Sequence, residues 1–84
     1  MGLNILFDQK AKKRFSQLPS QEKEKVARAI GLLELNKTEH INIKKLRLPK
    51  GKFFRIRVGN LRIIYEQIGK IIYISEIDFR GNVY

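Results

Sequence analysis

The sequence predicts an α+β fold, with two N-terminal helices forming a helical hairpin on one face of a small, mostly antiparallel sheet of about four strands. Three observations predict it. A short apolar alternation opens the chain, two stretches with helical apolar spacing follow, and beyond Thr38 the structured runs are rich in β-branched and aromatic residues separated by turn signals. The 84 residues contain no repeat, low-complexity tract or linker, so positions 1–84 are expected to form a single domain. A domain of this size buries only roughly 60% of its unfolded surface and has little stability to spare.

Leu3, Ile5 and Phe7 alternate with Asn4 and Leu6 as a first strand, and Asp8 supplies an N-cap for the first helix. Ala11, Phe15 and Leu18 form the buried stripe of that helix, leaving Lys10, Lys12, Lys13 and Arg14 to water. Pro19 breaks it. Ser20 is the expected N-cap of a second helix, whose first turn carries Glu22 and Glu24 to suit the macrodipole. Val26, Ala29, Ile30 and Leu33 give its apolar face, and Asn36 marks its end. A loop is expected from Thr38 to Asn42, a basic strand from Lys44 to Leu48, and a turn at Pro49 and Gly51.

The most informative stretch comes next. Phe53 to Val58 and Leu61 to Glu66 are β-rich runs separated by Gly59-Asn60, a hairpin signal, and Ile71 to Ile77 follows a turn at Gly69-Lys70. A two-residue turn sets Val58 opposite Leu61, Arg57 opposite Arg62, Ile56 opposite Ile63 and Arg55 opposite Ile64. Phe54, Ile56, Val58, Leu61, Ile63 and Tyr65 then share the core face, and Arg55, Arg57 and Arg62 share the other. Like charges directly across a sheet repel, which favours an anion or a carboxylate between Arg57 and Arg62. The alternative is a solvated face partly neutralised by Glu66, whose side chain has the parity of Arg62 and Ile64. Guanidinium groups suit phosphate because they stay charged and present a planar fork to two oxygens.

Composition points the same way. Eighteen Lys and Arg against eight Asp and Glu give a net charge of +10, a field that attracts polyanions. No apolar run approaches the roughly 20 residues of a spanning helix, so no membrane partner is expected. Cysteine is absent, and the first residues lack the pattern of a secretory leader, so the expected location is cytoplasmic. His40 is the sole histidine and reads as a loop residue; the carboxylates are scattered, so no metal site or other cofactor is expected. Without those groups, phosphodiester cleavage has one route, in which a ribose 2′-hydroxyl attacks its own phosphate while the protein positions it and neutralises charge. Only RNA offers that nucleophile.

Lys45-Leu46, the run from Phe53 to Glu66, and the ending Phe79-Arg80-Gly81-Asn82-Val83-Tyr84 resemble the RelE/ParE toxin superfamily of toxin–antitoxin systems. Ala11-Lys12-Lys13, Phe15, Leu18-Pro19 and Ala29-Ile30 agree in order, so the resemblance covers nearly the whole chain. On the RelE side, it implies a ribonuclease that enters the ribosomal A site and cuts mRNA there, using basic residues and a C-terminal tyrosine. Arg55, Arg57, Arg62, Arg80 and Tyr84 match those places. The roles implied are Arg57 and Arg62 on the pentavalent phosphate, Arg80 on the leaving 5′-oxygen, Arg55 on the backbone, and Lys52 as a phosphate ligand or acid. Two departures stand out: Phe79 takes a place where several relatives have histidine, and arginine replaces lysine at positions 55 and 57. Arginine is a poor base. Tyr84, the favoured proton acceptor, and Glu66 both remain open.

On the ParE side, the same fold implies inhibition of DNA gyrase with no RNA cleavage. A non-catalytic RNA- or ribosome-binding module is a third reading. Either toxin branch implies a cognate acidic antitoxin, which a charge of +10 would attract, with Lys10 to Arg14 and the edge strands as contacts.

Overall fold

The computed structural model describes residues 3–46 and 52–79. Among these, β1 (Asn4–Phe7), α1 (Gln9–Ser16), α2 (Ser20–Glu34), a 3-10 turn (Thr38–His40), β2 (Asn42–Lys45), β3 (Phe53–Val58), β4 (Leu61–Ile68) and β5 (Ile71–Phe79) follow in order. The sheet has five strands in the order β1-β5-β4-β3-β2, one more than the expected count of about four. It is mostly antiparallel, as expected; its one parallel pair brings β1 against β5 from the far end of the chain.

Both helices cover one face of this sheet. Ala11 and Leu18 from the first helical segment, with Val26, Ala29, Ile30 and Leu33 from α2, form one buried cluster with Ile56, Leu61, Ile63, Tyr65, Ile72, Ile74 and Ile77. The predicted apolar stripes are thus the buried ones, Phe15 being half-buried at the margin.

The helix ends follow local chemistry. Asp8 accepts from the Lys10 amide at 3.1 Å and caps α1, as expected. Ser20 is not the cap of α2. Pro19 takes that place, extended at ψ 155°, and its carbonyl accepts the Lys23 amide at 2.9 Å. A proline fixes φ near the required value but has no side-chain acceptor, so Ser20 moves inside the first turn. At the other end, Asn36 adopts φ 61°, and the Asn36 and Lys37 amides bond back to Leu33 and Leu32. That is a Schellman closure, and asparagine tolerates the left-handed position better than most residues.

The β3–β4 register is the expected one throughout, from Val58↔Leu61 to Arg55↔Ile64. Gly59 (φ 57°) and Gly69 (φ 59°) lead their two-residue turns, the φ pattern of type II′ hairpins, for which glycine is the usual first residue. Two expectations shift. The expected loop from Thr38 to Asn42 holds a 3-10 turn at Thr38–His40, and the strand expected from Lys44 already begins at Asn42, because Ile43 gains a partner in Ile56. The expected end of that strand at Leu48 and the turn at Pro49 and Gly51 lie outside the described residues.

Candidate nucleic-acid interface

With both helices on one face, the opposite face of the central strands is left uncovered by them. Register and alternation place Asn42, Arg57, Arg62 and Asp78 in one row across it, and Lys44, Arg55, Ile64 and Glu76 in the next. The three arginines therefore converge as the hairpin parity requires. Arg57 is exposed, and Arg55 and Arg62 are half-buried.

Glu76 reaches this face because of a β-bulge. Ile64 pairs with Glu76 but Tyr65 pairs with Ile74, so Ser75 is the extra residue, and its hydroxyl donates to the Ile64 carbonyl at 3.2 Å. Before the bulge Ile72 and Ile74 point into the core; after it Ile77 does. Unbroken alternation from Ile74 would have driven Glu76 and Asp78 into the apolar layer. The bulge turns both carboxylates to the arginine side.

The consequence is a different ion pair from the expected one. Arg62 Nη2 donates to Glu76 Oε2 at 3.1 Å, with both side chains about two-fifths exposed. Glu66 stands opposite Phe53 and Tyr73, two rows away, or about 14 Å at ~3.4 Å per residue. It does not neutralise Arg62. The sequence held a signal for this: the apolar spacing Ile72, Ile74, Ile77 skips one position, and a skip inside a strand marks a bulge.

The remaining arginine chemistry is unsatisfied among the described residues. Arg55 and Arg57 make no ion pair, and the buried Nε atoms of Arg55 and Arg62 have no acceptor. A buried N–H without a partner costs about 1–3 kcal/mol, so an oxyanion that drew these forks toward it would satisfy both Nε groups, at Arg62 in exchange for the bond to Glu76. Lys52 is exposed just ahead of β3, at the far end of that strand from Arg57. Arg80 and Tyr84 lie outside the described residues. Phe79 pairs with Leu61 and packs against the core, on the helix side. Asp78 is held by Arg14 at 3.5 Å and accepts from the Phe79 amide. His40 is exposed, and no cluster of three or more metal-ligating side chains occurs among the described residues.

Beside the arginines, β1 accompanies β5 only as far as Ile74. Beyond that point α1 and β5 flank a cleft of about 620 Å³, with Lys10, Lys13 and Arg14 on one wall and Ser75, Glu76 and Asp78 on the other.

Two tyrosines are held in the phenol form. Burial pushes Tyr65 up to about 12, and its ring stacks on Phe54 with centroids 5.2 Å apart. Tyr73 donates to Asp8 Oδ1 at 2.8 Å; that bond raises the phenol and, with the Lys10 amide, lowers the carboxyl. The Asp8 contribution to folding is present above the unfolded carboxyl pKa of about 3.9 and is lost as pH falls through its lower folded value. That of Tyr73 is present below about 10 and is lost as pH rises through its higher folded value. Wild type should therefore exceed Tyr73→Phe in urea midpoint by a steady margin from about pH 5 to 9. The margin should shrink at both extremes, and a margin independent of pH would show that the bond carries no linkage.

No protein-family model matches the sequence, and no curated protein matches it. Solved structures do. A RelE–RelB complex from Pyrococcus horikoshii superposes with a TM-score of 0.83 at 23% identity, covering 99% of this chain and 100% of that one. The RelBE2 toxin–antitoxin complex of Mycobacterium tuberculosis gives 0.76 at 23% identity over 95% of this chain and 100% of that one. The isolated RelE toxin of E. coli gives 0.68 at 20% identity over 96% and 87%. The order and pairing of elements described above is therefore the RelE toxin fold.

Proposed function

We propose that the protein is the toxin of a toxin–antitoxin pair, a metal-independent endoribonuclease that cuts mRNA in the ribosomal A site and so stops translation. One observation carries the reading: Arg55, Arg57 and Arg62 converge on the sheet face opposite the helices, two of them without a carboxylate partner among the described residues. The RelE fold supports it.

The chemistry asked of the face is charge stabilisation. Arg57 and Arg62 hold the equatorial oxygens of the pentavalent phosphate as the 2′-oxygen attacks, and Arg80 steadies the leaving 5′-oxygen. Tyr84 exchanges a proton with the reacting oxygens. Arg55 and Lys52 bind the neighbouring backbone. The products are a 2′,3′-cyclic phosphate and a 5′-hydroxyl, and the ribosome supplies the alignment of the 2′-oxygen with the scissile bond. The setting is the cytoplasm.

An acidic antitoxin completes the pair. Two of the similar structures are RelE–RelB or RelBE complexes, and a charge of +10 favours a polyanionic partner of either kind, RNA or protein. Purified protein added to translating ribosomes should give codon-phased mRNA ends bearing 2′,3′-cyclic phosphates. Intact mRNA with inhibited gyrase supercoiling would replace this reading with the gyrase one. Intact mRNA with ribosome co-sedimentation alone would leave a binding module.

A further inference from the structure

The arginine face lacks a base among its cations, since a guanidinium does not give up its proton in a protein. We infer that Glu76 is that base, a catalytic carboxylate that takes the proton of the attacking 2′-hydroxyl; the inference rests on the ribonuclease reading above.

Three features single out Glu76 among the carboxylates of this face. Its Oε2 is 3.1 Å from Arg62 Nη2, so a phosphate that engages Arg62 lies within one residue's reach of the carboxylate. Its side chain also lines the cleft of about 620 Å³ between α1 and β5, so open volume adjoins it for a nucleotide. The bulge at Ser75 holds it there, in the same row as Arg55 and diagonal to Arg62. Its neighbours are otherwise committed. Asp78 is tied to Arg14 and to the Phe79 amide, Glu66 is two rows from Arg62, and Tyr65 and Tyr73 are held as phenols.

In the free protein the carboxylate occupies Arg62. An incoming phosphate competes for the same guanidinium and draws it away, which leaves Glu76 with an open lone pair beside the ribose. The 2′-oxygen then gives its proton to Glu76 as its bond to phosphorus forms. The bond from phosphorus to the 5′-oxygen breaks, and that oxygen takes its proton from Tyr84, which regains one from water. Glu76 returns its proton to solvent. Both halves of the pair thus contribute: Arg62 neutralises the phosphate, and its departure activates the base.

Glutamine separates this role from simple positioning of Arg62, because the amide oxygen still accepts from Nη2 but takes no proton at neutral pH. On ribosomes saturated with protein, Glu76→Gln should cut programmed mRNA about 10²–10⁴-fold more slowly than wild type in a single turnover. Its ribosome affinity should be unchanged or tighter, since a negative charge has been removed from a phosphate-binding face. Glu76→Ala should recover rate with added formate in proportion to its concentration, as a small carboxylate enters the vacated space. A Glu76→Gln rate within about threefold of wild type, or no formate response in Glu76→Ala, overturns the assignment while leaving the ribonuclease reading intact. Wild-type protein that leaves ribosomal mRNA uncut overturns both.

Discussion

Arg62→Ala should lower the single-turnover rate of mRNA cleavage on saturated ribosomes by about 10²–10³, the cost of removing one preorganised donor from a developing oxyanion. Arg62 sits at the middle of the face opposite the helices, facing Arg57 on one strand and Asp78 on the next, with Glu76 against its fork. Its loss removes charge from the position where the pentavalent phosphate would form. Folding should hardly change. The Arg62–Glu76 pair is partly exposed and contributes at most about 1 kcal/mol, while relief of the Arg57–Arg62 repulsion acts in the opposite direction. A melting curve that matches wild type beside a crippled rate would place the defect in the chemistry. An unchanged rate would remove Arg62 from the reaction.

The arginine face was legible in the sequence because a two-residue turn and a period of two determine it jointly. Once Gly59-Asn60 closes the hairpin, each partner from Val58↔Leu61 to Arg55↔Ile64 follows, and so does the side on which each residue lies. The helical stripes were legible for a similar reason. What could not be read were features decided at long range. The parallel pairing of Asn4–Phe7 with β5 joins segments at opposite ends of the chain, and no local pattern announces it. The start of β2 at Asn42 depends on the partner Ile56 rather than on its own composition. The bulge at Ser75 puts Glu76 rather than Glu66 against Arg62, and its one local mark is the residue that the isoleucine spacing skips.

That exchange matters for the site. A face built only of arginine binds phosphate but moves no proton. The bulge brings in a carboxylate by breaking the sheet's alternation at one position while leaving Ile72, Ile74 and Ile77 buried on the other side. Core and site are therefore decided by the same local irregularity. A change to either side of β5 has to respect both.

The opposite side of the hairpin should respond in the complementary way, through folding rather than chemistry. Ile56, Ile63 and Ile77 form one row across β3, β4 and β5, each at most 2% exposed, beneath the helices. Ile63 is the middle member and has a strand on each side, so a cavity opened there has little freedom to collapse. Ile63→Ala should cost about 2–5 kcal/mol, against about 0.5–1.5 for Ile63→Val. An 84-residue domain has only about 4–13 kcal/mol in total at ~0.05–0.15 kcal/mol per residue. The alanine variant should therefore melt at least about 8 °C below wild type, given ~4–8 °C per kcal/mol for a domain of this size. Below its transition, however, the neighbouring Arg62 still projects to the other face from an intact strand, so cleavage per folded molecule should stay near wild type. Arg62→Ala and Ile63→Ala, adjacent in sequence, would then fail for opposite reasons, one folded without chemistry and the other competent but short of stability. A loss of rate in Ile63→Ala at a temperature where circular dichroism shows it fully folded would contradict that division of labour between the two faces.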